Sequence, residues 1–139
     1  MARRKLSTWI CAAFLAIAGA SVPSELQGES LVPLLKGETL ATWRSAFYYH
    51  DYEYPGSHDV PRHYGVRTAR YKLIHYYHLK EWEFFDLQTD PHELQSRYDD
   101  PDYAKLIASH KAELSRLRAQ YLVPEDKIPL KRKFRRLGN

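Results

Sequence analysis

Five of the seven histidines, His50, His58, His63, His75 and His78, fall in one tyrosine-rich stretch. Imidazoles at that density could ligate a metal or hydrogen-bond to neighbouring rings. A zinc site needs three or four ligands converging at about 2.0–2.3 Å. These five make no i,i+4 pair, so hydrogen bonding within an aromatic sheet, or the lining of a polar pocket, is the expected state, with no metal. One segment stands apart. Ser57-His58-Asp59-Val60-Pro61-Arg62-His63-Tyr64-Gly65 gathers a guanidinium and two imidazoles in one loop, enough donors for an anionic oxygen. His58, Arg62 and His63 are the candidate substrate-binding residues, and packing of that loop against a neighbouring domain is the alternative.

Catalytic residues are not indicated. Cys11 lies in an apolar run, where a thiol is inert, and no serine has a G-x-S-x-G setting. Asp90, Asp99 and Asp100 read as turn caps and the other carboxylates as exposed strand or helix positions, so no matched acid and base emerge. One cysteine excludes an intramolecular disulfide and a Cys-rich zinc site. The six glycines show neither G-x-G-x-x-G nor G-x-x-x-x-G-K spacing, so no phosphate cradle is written here.

The chain that must position these residues has 139 amino acids, 44% hydrophobic and 14% aromatic, enough for one small domain and too hydrophobic for disorder. Its net charge of +4 is unevenly spread. Arg3, Arg4, Lys5, Lys127, Lys131, Arg132, Lys133, Arg135 and Arg136 sit at the ends. Without those nine, 12 basic residues face 17 acidic ones, a net of −5. A nucleic-acid module carries its basic stripe on the folded face, so nucleic acid is not an expected partner.

Met1–Lys5 is positive, Leu6–Ala20 is apolar, and Ala18-Gly19-Ala20 has the small-x-small form of a cleavage site. The run is too short to span about 30 Å of hydrocarbon. A signal peptide, which implies a periplasmic or extracellular location, and a buried helix of a larger domain both fit. Ser21–Gly37 reads as a loop around a short helical turn. Strands are expected at Phe47–Tyr52, His63–Thr68, Tyr71–Tyr77 and Trp82–Leu87, antiparallel because their links are too short for crossovers. Asp99 or Asp100 caps a helix with Pro101 in its first turn. Its apolar stripe runs Tyr103, Leu106, Ile107, His110, Leu114, Leu117 and Tyr121, and Val123-Pro124 stops it. The fold class is therefore α+β: a four-stranded antiparallel sheet packed against one long C-terminal helix, preceded by an apolar helix and loop. The domain division is 1–42, 43–123 and a basic tail 124–139.

Tyr48-Tyr49-His50-Asp51-Tyr52-Glu53-Tyr54-Pro55 and Arg62-His63-Tyr64-Gly65-Val66-Arg67-Thr68-Ala69-Arg70-Tyr71-Lys72-Leu73-Ile74 together resemble the C-terminal subdomain of sulfatases, the arylsulfatase and N-sulfoglucosamine sulfohydrolase-like enzymes. Trp82 to Leu94 is similar to the family's following strand and acidic turn, with Ser96 where Asn is usual. Leu26–Leu35 is similar to the stretch just before this subdomain. Phe14–Ala20 resembles an internal helix of the sulfatase core, with Ala16 replacing an acidic residue, which favours the internal helix over the signal peptide.

The resemblance implies sulfate-ester hydrolysis in intact relatives, by a formylglycine made from Cys or Ser in a C/S-x-P/A-x-R motif, with calcium held in a large N-terminal domain. Cys11 is followed by Ala12, Ala13, Phe14 and Leu15, so that motif is absent. The expectation is a sulfatase C-terminal subdomain from a truncated or split gene product, inactive alone and without a cofactor of its own. Its expected partners are a separately encoded catalytic domain and a sulfated sugar. The rival is an exported module that binds anionic polysaccharide.

Overall fold

The computed structural model describes residues 8–23, 26, 28–38, 43–54 and 60–125. The basic ends and residues 55–59, which include the candidate His58, lie outside the described residues. The chain divides into two compact units, 1–43 and 44–139.

The first unit holds α1 (Thr8–Ile17) and the single turn α2 (Val32–Leu35). In α1, Ala12 and Ala13 are buried while Phe14 and Ile17 are exposed. Ser30 Oγ accepts the Val32 N–H at 3.2 Å, and Gly37, at φ +78°, terminates the α2 turn as a left-handed C-terminal residue.

The second unit is an antiparallel sheet in the order β1 (Ala46–Asp51), β2 (His63–Thr68), β3 (Tyr71–Tyr76), β4 (Glu81–Asp86), followed by α3 (Ala104–Gln120). The α+β architecture expected above is the one found. Alternation along each strand separates two faces. Ala46, Tyr64, Val66, Leu73 and Phe84 point towards α3 and cluster with Ile107, Leu114 and Leu117. Phe84, Leu73 and Val66 are fully buried, and each such side chain contributes about 1.5–3 kcal/mol of transfer free energy.

The β2–β3 link, Ala69-Arg70, lacks the Gly or Asn that a two-residue hairpin favours. Thr68 supplies the missing closure. Its hydroxyl accepts the Tyr71 N–H at 3.0 Å and donates to the Tyr71 carbonyl at 3.2 Å. The longer β3–β4 turn instead uses Lys80 at φ 57°. On the outer edge of β4, Arg97 N–H donates to the Phe84 carbonyl at 2.7 Å. Ser96 Oγ accepts the Phe84 and Tyr98 N–H groups at 3.2 and 3.3 Å. Asp100 caps the 3-10 turn Pro101–Tyr103 that leads into α3, accepting the Asp102 N–H at 3.0 Å.

Candidate functional site

The end of the sheet where β1 leaves and β2 enters carries two of the three sequence candidates. Arg62 is buried and its Nη2 donates to the Tyr54 carbonyl at 2.6 Å, tying the residue before β2 to the segment after β1. Its guanidinium thus closes the base of the intervening loop. His63 opens β2 on the face away from α3. Its Nδ1 lies 2.9 Å from the Pro61 carbonyl. A carbonyl oxygen can only accept, so Nδ1 carries the proton and, in the neutral ring, Nε2 holds the lone pair. The ring is flanked by Tyr49, edge-on at 6.0 Å, and by Tyr76, tilted at 5.3 Å. Tyr76 is held by its hydroxyl, which donates to Glu83 at 3.1 Å. Burial first, then nearby carboxylates, lifts the Tyr49 and Tyr76 phenols above the usual tyrosine range, so both stay protonated.

A second imidazole–tyrosine row lies on the face towards α3. His50 Nδ1 is 2.9 Å from the Tyr48 hydroxyl, and its ring stacks on Tyr52 at 3.6 Å. His75 Nδ1 is 2.8 Å from the Tyr64 hydroxyl, and its ring stacks on Trp82 at 3.8 Å. From α3, Arg118 reaches the Tyr64 hydroxyl at 3.0 Å, and Lys111 lies 4.6 Å over Trp82 and 4.8 Å from the Tyr98 centroid. Burial, then the Arg118 and Lys111 charges, pulls His75 down to about 4, so it is a neutral packing group at neutral pH. These histidines are hydrogen-bonded within an aromatic sheet, as expected. Among the described residues no three His, Cys, Asp or Glu side chains converge on one point. They therefore offer no fit to the calcium site that the sulfatase resemblance implies for intact enzymes.

One carboxylate departs from the sequence reading of exposed strand positions. Asp86, at the end of β4, is 1% exposed and takes a bidentate pair from Arg70 at 2.9 and 2.7 Å, with Tyr103 and the Gln88 N–H also donating to it. The Arg70 hydrogen bonds hold its carboxyl below the usual range despite burial. The pair ties the β2–β3 turn to the end of β4 and is structural. A nearby groove is lined by the rings of Tyr76, Trp82 and Tyr98. Its charges are Glu81, Glu83 and Asp99 against Lys80, the wrong sign for a sulfate.

The sequence profile of N-sulphoglucosamine sulphohydrolase, C-terminal, matches residues 6–120. The chain belongs to this sulfatase C-terminal family. The match includes α1 as well as the sheet and α3. The N-acetylglucosamine-6-O-sulfatase of Bacteroides thetaiotaomicron is 52% identical over 95 residues, covering 66% of this chain and 17% of the relative. A Δ4,5-hexuronate-2-O-sulfatase of the same organism is 36% identical over 107 residues, covering 69% of this chain and 20% of the relative. A protein solved in complex with its substrate D-glucosamine-2-N,6-O-disulfate superposes with TM-score 0.81 at 42% identity, over 86% of this chain and 25% of that one. The chain thus spans about a fifth of the length of the curated relatives it matches. Among the described residues, no helix of this sulfatase C-terminal unit is long and apolar enough to cross a membrane.

No motif spacing marks Tyr49 or Gly65. The available signal was an isolated glycine inside a strand, which marks a close approach of another group. Asp86 carries no such signal, because a charged residue ending a strand normally faces water.

Proposed function

We propose that residues 43–123 form the C-terminal subdomain of a sulfatase acting on a sulfated amino sugar, with 1–42 before it and the basic segment 124–139 after it. The observation that carries this reading is the family match over 6–120 combined with the superposition on a protein holding its substrate, a disulfated glucosamine. The subdomain packs on a catalytic domain and shapes its pocket. His63 faces the sugar through Nε2, and Arg62 holds the base of the loop that carries His58. A match that runs through α1 supports the internal helix over a signal peptide.

These 139 residues hydrolyse no sulfate ester by themselves. They hold no C/S-x-P/A-x-R segment, and without a nucleophile there is no group to stabilise the sulfuryl-transfer transition state covalently. Calcium belongs to the catalytic domain in this reading.

The test is a chimera. Residues 44–120 replace the matching segment of the Bacteroides N-acetylglucosamine-6-O-sulfatase, and sulfate release is followed. The chimera is expected to turn over, and His63→Ala within it to raise KM about tenfold, the loss of one hydrogen bond to a polar ligand. A folded chimera whose KM ignores His63→Ala would remove His63 from the site.

A further inference from the structure

We propose that Gly65 and Tyr49 are positioning residues for His63: the missing Cβ at Gly65 lets the Tyr49 ring lie across β2, where its edge fixes the imidazole so that Nε2 is presented as a hydrogen-bond acceptor. The inference rests on the placement of His63 at the sugar-facing end of the subdomain and adds how that group is held. Gly65 pairs with Tyr49 across the β1–β2 ladder. A Cβ built on Gly65 would stand 2.3 Å from the Tyr49 hydroxyl, 2.5 Å from its Cζ and 2.3 Å from the Leu73 carbonyl. No side chain can occupy that space while Tyr49 lies there.

The ring is clamped on its other sides. Phe47 stacks near it at 6.4 Å, and Lys72, paired with Glu93, lies 5.8 Å from its centroid. The Tyr49 hydroxyl is buried and has no hydrogen-bond partner among the described residues. A phenol that donates to nothing is held there for its ring, and the ring's edge meets His63. Tyr76, fixed by Glu83, closes the opposite side. With Nδ1 committed to the Pro61 carbonyl, Nε2 has no partner among the described residues. It suits an O–H donor such as a sugar hydroxyl, whereas a sulfate oxygen, being only an acceptor, needs the protonated ring.

Long-range proton–nitrogen correlation spectra of the full chain at about pH 8 read the His63 tautomer directly. The Nδ1–H form should exceed the other by about fivefold or more, the bias one hydrogen bond supplies. Tyr49→Phe should keep that ratio. Tyr49→Ala and Gly65→Ala should bring it towards parity while the amide spectrum of the α3 face stays native. If Gly65→Ala does not fold, Tyr49→Ala against Tyr49→Phe decides alone. A ratio unchanged in folded Tyr49→Ala, or an Nε2–H majority in the unaltered chain, overturns the proposal. The readout needs no sugar, so its failure is separate from failure of the sulfatase reading, which the chimera tests.

Discussion

The two faces of the sheet use the same residue types for different ends. Towards α3, imidazoles and phenols are consumed in packing: His75 lies under Trp82, Tyr64 under Arg118, and His110 edge-on to Phe84 and Tyr71. His110 donates from Nδ1 to the Leu106 carbonyl at 2.8 Å, one helical turn back. On the other face no helix of this unit contributes to the core cluster, and the long side chains pair with each other as Lys72 with Glu93 and Tyr76 with Glu83. There His63 keeps an unpartnered Nε2 on a half-buried ring, whereas the Nε2 of His110, also without a partner among the described residues, is buried. The lesson is that histidine count is a poor guide to a site. His63 and His75 both commit Nδ1 to a hydrogen bond; what separates them is that His75 stacks on Trp82 beside the α3 cations while His63 lies on the face away from α3.

This comparison can be broken by substitution. Phe84→Ala should have the largest effect, about 3–5 kcal/mol lost in denaturant unfolding, because a fully buried ring leaves a cavity between sheet and helix. Phe85→Ala, on the face away from α3, should cost less than Phe84→Ala, because Phe84 is the ring packed in the cluster between sheet and α3. The reverse order would show that the second face is the better packed. Gly65→Ala should follow at about 1–3 kcal/mol, the range for forced overpacking. A backbone carbonyl at 2.3 Å gives way less easily than a side chain.

Tyr49→Phe should be smallest and opposite in sign, neutral or stabilising by up to about 1 kcal/mol, because it removes a buried hydroxyl with no partner among the described residues. A clear loss of stability in that variant would mean that the hydroxyl is bonded after all.

The faces should also differ in pH response. His75 is held at about 4 in the folded chain against about 6.5 unfolded, so the unfolded state binds more protons between those values. Stability is then complete above about pH 6.5 and falls as pH drops towards 4. Asp86, held low by Arg70, adds a further loss at more acid pH. The slope between pH 6.5 and 4 should shrink in His75→Phe, measured by urea midpoints. An unchanged slope would locate the acid response elsewhere.

Most of the sheet and all of the long helix were legible in the sequence, because strand alternation, a capping Asp with Pro101, and the three-four stripe from Tyr103 to Tyr121 are local signals. The β2–β3 turn was harder, since Thr68 closes it with a side chain in place of the usual Gly or Asn. Of the site, the His58–Arg62–His63 cluster was visible as chemistry, but its division of labour was not. That Arg62 turns inward to Tyr54 and His63 outward depends on contacts between β1 and β2 that no spacing encodes. The Arg70–Asp86 pair is likewise non-local.

The most direct test of the account is a titration of the folded, isotope-labelled chain with D-glucosamine-2-N,6-O-disulfate and calcium, following imidazole signals and free sulfate together. The account predicts ligand-dependent shifts at His63, none at His75 or His110, and no sulfate released. Sulfate release, or shifts at the α3 face with His63 unmoved, would contradict it.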